Sequence, residues 1–286
     1  MRSDPWGGLP GRQQQSDSRQ SAAAREHNRR AWDTLVRNKQ RFTTPAADDD
    51  LRDPLGTSDP LGWLGGDVSG KRLLCLASGG GRQSAIYAAA GALVTVVDLS
   101  PEMLAIDRQV AAERGLHVTT IEASMDDLGA LAAASFDVVL QPVSTCYLPE
   151  VLPVYREVAR VTAPGGLYLS QHKQPTSLQA TAAPSPGGYE VTEPYYRRGP
   201  LPAVSGSQHR EEGTLEFLHR WEQLLGGLCR AGFVIEDVVE PFLGLPDAPL
   251  GTFAHRCHYV PPYVRVKARR MGAAPLGESR LWVPGS

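Results

Sequence analysis

Three groups of residues in this 286-residue chain have types and spacings that could carry chemistry. The first is Ser78-Gly79-Gly80-Gly81 together with Asp98, 17 residues beyond the last of these glycines. Glycines let a backbone approach a ligand with no Cβ in the way. A carboxylate at the end of the next strand can accept hydrogen bonds from a ribose. The second group is polar where apolar runs stop: Gln141 with the stretch up to Tyr147, and Ser170-Gln171-His172-Lys173-Gln174. Histidine has the ordinary pKa for proton transfer near neutrality, and a protonated Lys173 beside His172 would lower it. Tyr147 could orient a substrate or simply pack. The third group is His255-Arg256-Cys257-His258. Read as a strand, it sends Cys257 and His258 to opposite faces, and a zinc site needs about four converging ligands, so no metal is expected there.

These residues need elements to position them, and strand and helix signals alternate along the chain. Arg72–Ala77 reads as a short apolar strand, and a helix follows from Arg82 to Ala90. Leu93–Asp98 is a β-branched strand ending in the acid. Ser100-Pro101-Glu102 opens a helix, since serine caps and proline suits the first position. Strands are expected at His117–Ala123, Phe136–Leu140 and Leu167–His172, with a helix at Val151–Val161 stopped by Pro164-Gly165-Gly166. Such alternation implies βαβ crossovers, a parallel sheet and helices on both faces. Ligands then sit outside the carboxyl ends of the strands, which selects Gln141 after strand four and His172 after strand five.

Towards the N-terminus, residues 1–22 are Gln/Ser-rich and read as a disordered tail, and a helix is expected over Ser21–Arg41 with Trp32, Leu35 and Val36 on one face. Residues 42–60 read as a loop. Residues 174–215 form a long insertion with Tyr189, Tyr195, Tyr196, Arg197 and Arg198, expected to act as a lid. A helix is expected to begin at Glu216–Trp221, which could turn His219 and Arg220 to the pocket or leave His219 packed or facing solvent. The alternation Arg265, Lys267, Arg269 reads as the solvated face of a last strand, and residues 271–286 as a flexible tail.

Composition excludes several classes. Hydrophobic residues make up 42% and the net charge is -2, so there is no basic field for nucleic acid or an anionic membrane. No apolar run reaches the roughly 20 residues that span a bilayer. Four cysteines without a CxxC pair fit free thiols in a reducing compartment, and a cytoplasmic location is expected.

A nicotinamide dinucleotide would want a third glycine where Ser84 stands, so that reading is imperfect. Leu74-Cys75-Leu76-Ala77-Ser78-Gly79-Gly80-Gly81 and Val96-Val97-Asp98-Leu99-Ser100-Pro101-Glu102-Met103-Leu104, followed by Ala123-Ser124-Met125-Asp126-Asp127-Leu128, Ser135-Phe136-Asp137-Val138-Val139, Pro164-Gly165-Gly166 and Leu228-Cys229-Arg230-Ala231-Gly232-Phe233, occur in an order that resembles the class I S-adenosylmethionine (SAM)-dependent methyltransferases, particularly the small-molecule type of ubiquinone and menaquinone biosynthesis. The resemblance spans about Asn28 to Arg270. It implies a doubly wound, mostly parallel seven-stranded α/β sheet with the last strand antiparallel, in a domain over 23–270. It implies SAM as cofactor, held by Trp32, Ala77, Ser78, Gly79, Gly81, Asp98, Leu99, Met103, Ser124, Met125 and Gln141. It implies a small-molecule acceptor; the ends of strands four and five offer Tyr147 and His172 as candidate catalytic residues, His172 being equally a residue that could cap or bond a loop. Two positions depart from the family: Cys75 replaces the acid of the first motif, and Ala77 replaces its first glycine. These departures leave a non-catalytic SAM-binding module as an alternative, with a dinucleotide-dependent oxidoreductase behind it.

Overall fold

The computed structural model describes residues 11–40 and 42–272. Seven strands, β1 (Arg72–Leu76), β2 (Leu93–Asp98), β3 (Val118–Glu122), β4 (Phe136–Gln141), β5 (Thr162–Lys173), β6 (Phe233–Val239) and β7 (Tyr263–Arg270), form one sheet in the order β3-β2-β1-β4-β5-β7-β6. β1 pairs in parallel with β2 (Leu74 opposite Thr95) and with β4 (Leu74 opposite Val139). Only β7 runs antiparallel, against β5 (Ser170 opposite Val266) and β6. Strand order reverses between β1 and β4, the point where such sheets open a crevice.

Strand alternation splits the core into two layers. Leu74, Leu76, Val97 and Val139 face one side with Val154, Tyr155, Val158 and Leu228. Leu73, Cys75, Val94, Val96 and Leu140 face the other with Tyr87 and Leu104. Each such fully buried side chain contributes about 1.5–3 kcal/mol of transfer free energy.

The helices are α1 (Gly11–Arg37), α2 (Asp48–Arg52), α3 (Pro54–Ser58), α4 (Gln83–Ala89), α5 (Pro101–Arg114), α6 (Leu152–Val161), α7 (Pro175–Gln179), α8 (Gly227–Arg230) and α9 (Phe253–Tyr259). α5 starts as its sequence demands: the Ser100 hydroxyl accepts from Met103 N at 3.1 Å, Pro101 follows, and Gly115 ends the helix at φ +63. α6 buries Val154, Tyr155, Val158 and Val161 at helical spacing.

Several expectations need correction. The first helix begins at Gly11, so the expected tail is helical over 11–22, while residues 1–10 and the tail from 273 lie outside the described residues. The 42–60 loop holds α2 and α3, the latter capped by Asp53 accepting from Gly56 N at 3.1 Å. β5 starts at Thr162 rather than Leu167, because Thr162 pairs with Phe136 across an irregular register. Residues 216–220 are extended: Leu201 N donates to Glu216 O and Phe217 N to Cys146 O, both at 2.7 Å. A helical turn begins only at Trp221. His255–His258 lie on α9, not on a strand, because the Thr252 hydroxyl caps that helix through His255 N at 3.2 Å. Among the described residues no cluster of three or more metal-ligating side chains occurs, and no helix is long and apolar enough to cross a membrane.

Candidate active site

At the carboxyl end of β1 the chain turns sharply. Ala77 sits at φ +48, and Gly80 and Gly81 at φ +105 and +73. Left-handed backbone suits glycine, so Ala77 is strained by roughly 1 kcal/mol where the family carries glycine. A Cβ on Gly79 would lie 2.7 Å from Met103 Cβ and 3.1 Å from the Asp98 carboxylate, so only glycine lets this backbone lie against β2. Asp98 holds the turn: Oδ2 accepts from Gly79 N and Oδ1 from Ser100 N, each at 2.9 Å. Burial pushes its carboxyl upward against these amide bonds, and Asp33 adds to the push. A carboxylate has about four acceptor sites, which leaves room for two ribose hydroxyls.

The turn opens into a cleft of about 410 Å³. Of the residues expected from sequence, Trp32, Ala77, Ser78, Gly79, Asp98, Leu99, Met103, Ser124, Met125 and Tyr147 line it. The Ser78 hydroxyl is buried in the wall of the cleft, beside the Cys75 thiol.

α1 roofs the cleft through polar groups as well as through Trp32 of its apolar stripe. Asn28 donates to Tyr147 O at 2.8 Å and Leu215 O at 3.0 Å, and accepts from Leu215 N at 2.7 Å. Asp33 accepts from the Ser100 hydroxyl at 2.6 Å and from Arg29 at 3.0 Å. Arg25 pairs with Asp126 at 2.5 Å. The Trp32 ring meets the Tyr147 ring edge to face, with centroids 5.7 Å apart.

At the far end the Tyr147 phenol donates to Glu211 Oε2 at 2.8 Å. The Lys173 ammonium reaches the same oxygen at 2.8 Å and Glu216 at 2.5 Å, and Arg210 closes the chain on Glu216. Burial works to raise the Glu211 carboxyl, but the Lys173 ammonium holds it below the usual carboxylate range. Burial, then the Glu211 charge, keeps the Tyr147 phenol protonated well above its ordinary pKa.

Five expected residues, Gly81, Gln141, His172, His219 and Arg220, are not in the cleft lining. A Cβ on Gly81 would meet Val110, Ile106 and Pro45 at 3.0–3.3 Å, away from the cleft lining. Gln141 is buried, donating to Ser144 at 2.9 Å and accepting from Tyr168 at 2.5 Å, which fixes the turn after β4. His172 is 1% exposed. Its Nδ1 is hydrogen-bonded to the Thr145 hydroxyl at 2.9 Å and its Nε2 to the Ser170 hydroxyl at 2.8 Å. Burial, with a contribution from His219, lowers its pKa to about 3; the expected influence of Lys173 is not the cause. His219 is buried against Thr145 O at 3.0 Å, and Arg220 lies over the Tyr196 ring at 5.2 Å. The strand period of two explains the failure: Gln171 lines the cleft, while His172 turns to the opposite side beside Tyr155, 6.3 Å away. Asn28, Gln171, Glu211 and Tyr263, also in the lining, were not singled out. Asn28 sits one turn before Trp32 on the same helix face, a signal that could have found it.

Residues 74–170 match the family model described as a methyltransferase domain. The uncharacterized methyltransferase YbaJ of Bacillus subtilis is 34% identical over 228 residues, covering 75% of this chain and 89% of that one. The chain belongs to the class I SAM-dependent methyltransferases. A ubiquinone biosynthesis O-methyltransferase of Xanthomonas oryzae pv. oryzae is 36% identical to this methyltransferase over 105 residues, 36% of this chain and 44% of that one. The solved SAM-dependent methyltransferase of Mesorhizobium loti superposes with a TM-score of 0.57 at 27% identity, covering 71% of this methyltransferase and 93% of that chain. The magnesium protoporphyrin IX methyltransferase of Synechocystis, solved with bound SAH, shares the fold at a TM-score of 0.56 and 17% identity, over 86% and 99% of the two chains. SAM is therefore the methyl donor of this methyltransferase, and the Gly79 cradle, which a Cβ would fill, and the Asp98 carboxylate fit it.

Proposed function

We propose that the methyltransferase acts on a small-molecule acceptor by in-line displacement. The observation that carries this reading is the roofed cleft: α1 and residues 211–215 close over it through Asn28 and Tyr147, which suits a ligand of drug-like size better than a macromolecule. The insertion 174–215 serves as part of that lid.

SAM supplies an electrophilic methyl on a sulfonium. In this reading Asp98 takes the ribose hydroxyls, Ser78 and Gly79 take the amino-acid end, Leu99, Ser124 and Met125 flank the adenine, and Trp32 and Met103 cover it. Tyr147, Glu211, Gln171 and Tyr263 face the acceptor. Of the charged groups in the wall, Arg25 and Arg82 are each paired with an aspartate, at 2.5 and 2.6 Å, and Glu211 with Lys173 at 2.8 Å. Glu211 remains an ionised acceptor facing the acceptor end, which suits a substrate that offers a hydrogen-bond donor, a hydroxyl or an amine. Tyr147 and Glu211 would orient that group, and Glu211 is the carboxylate placed to hold its proton. His172 supports the Thr145–Tyr147 turn and does not take the proton.

Radiolabelled SAM incubated with the enzyme and a fractionated cell extract tests the substrate class. Label should appear in the low-molecular-weight fraction; label confined to protein or nucleic acid overturns the reading, and SAM binding without any transfer points to a binding module.

A further inference from the structure

Cys75 is fully buried in β1, at the position where the related first motif carries an acid. A thiol is a weak acceptor and cannot take the amide hydrogen bonds that a carboxylate takes. The glycine-rich turn is tied instead from α5. Asp107 Oδ2 accepts from Gly80 N at 2.9 Å, and Oδ1 accepts from Gly81 N at 3.0 Å and from the Ser84 hydroxyl. Asp107 is 1% exposed, so this carboxylate answers to the turn and not to solvent.

We propose that Asp107 is the positioning residue of the glycine-rich turn, supplying from α5 the carboxylate that β1 lacks at Cys75, and that SAM affinity depends on its being ionised. The proposal rests on the reading that this turn holds the amino-acid end of SAM. It assigns Asp107 no contact with the cofactor: the effect travels through Gly80 to Gly79 and Ser78, which line the cleft.

Three donors converge on one carboxylate, so protonation turns an acceptor site into a donor. The Ser84 hydroxyl can reverse its role and accept that proton, but the amides cannot, and a neutral carboxyl holds the Gly80 and Gly81 N–H groups more weakly than a carboxylate does. The Gly80 amide also reaches Met103 O at 3.2 Å, so the Gly81 amide, on left-handed backbone at φ +73, depends most on Asp107. Burial raises the Asp107 carboxyl to about 6, opposed by the bonds from Ser84, Gly80 and Gly81 and reinforced by the charge of Asp98. The titratable groups facing it are Asp98 from β2 and the Cys75 thiol from β1, which burial pushes up and keeps neutral. No cation is paired with Asp107 among the described residues. The titration therefore falls within reach of ordinary buffers.

The test measures SAM and SAH affinity by calorimetry between pH 5 and 8 for the full chain, and exchange of the Gly80 and Gly81 amides by NMR without ligand. For the wild type, affinity should hold above pH 7 and fall roughly 5–10-fold by pH 5. Asp107→Asn should bind about tenfold more weakly at pH 7.5, lose the break near pH 6 and exchange both amides faster. Any remaining fall at lower pH then belongs to Asp98. Ser84→Ala removes only one bond, one that lowers the Asp107 pKa, so its break should move above pH 6. Wild-type affinity and pH profile in Asp107→Asn, or an unmoved break in Ser84→Ala, would overturn the proposal. A wild type that binds neither ligand refutes the cofactor reading instead, and amide exchange still decides what Asp107 does to the turn.

Discussion

The Ser100 hydroxyl donates to Asp33 Oδ1 at 2.6 Å, and this bond joins the roof of the cleft to its floor. Asp33 follows Trp32 on α1, while Ser100 follows Asp98 by two residues and caps α5. The side chain that covers the cleft and the carboxylate at its base are therefore set by one buried hydrogen bond.

Removing Asp33 should loosen the roof without touching the cofactor. Asp33→Ala leaves the Ser100 hydroxyl and Arg29 without their shared partner, at a cost of about 1–3 kcal/mol. SAM affinity should fall about 5–100-fold, with the circular dichroism spectrum unchanged. Calorimetry giving the wild-type dissociation constant would show that α1 does not govern binding.

The buried histidines make the fold acid-sensitive. His172 and His219 are lowered to about 3 and about 4, mainly by burial, whereas in the unfolded chain both titrate near 6.5. Between those values the unfolded chain binds more protons, so stability is present above pH 6.5 and is lost as pH falls towards 4. Each histidine contributes a slope of about 1.4 kcal/mol per pH unit in that window. Urea unfolding at pH 4.5–7 should show His172→Gln flattening the curve by one such increment. An unchanged slope would mean that His172 is protonated in the folded protein.

Ala77 offers a gain. Its φ of +48 costs an L-residue about 1 kcal/mol more than glycine, partly offset by the greater freedom of glycine in the unfolded chain. Ala77→Gly should raise the thermal midpoint by a degree or two. A lower midpoint would show that the methyl group packs more than it strains.

The sequence exposed the fold where local chemistry is unambiguous. Leu93–Asp98 is a strand at both expected ends because its residues are β-branched and it stops at a turn, and Ser100-Pro101 starts α5 as a cap and first-position proline must. The turn at Ser78 and Gly79 and the Asp98 carboxylate, which line the cleft, were legible for the same reason, being built from contiguous motifs. The acceptor side was not. Glu211 lies 64 residues from Tyr147 and 38 from Lys173, inside a segment with no periodicity, so only the folded chain brings them together. His172 misled because the carboxyl end of a strand marks a location but not a face, and one residue decides between the cleft and the core. Asp107 carries no motif of its own; its signal was the missing acid at Cys75.

The central claim is that acceptor chemistry is performed at Tyr147 and Glu211 and not at His172. The most direct measurement is single-turnover methyl transfer from labelled SAM to the acceptor found in the low-molecular-weight fraction, comparing Glu211→Gln and His172→Gln. Glu211→Gln should keep SAM affinity within a factor of about three and lose roughly 10²–10⁴ in rate, the range for a positioned base, while His172→Gln should lose less than about tenfold. A wild-type rate in Glu211→Gln, together with a loss of that size in His172→Gln, would contradict the account.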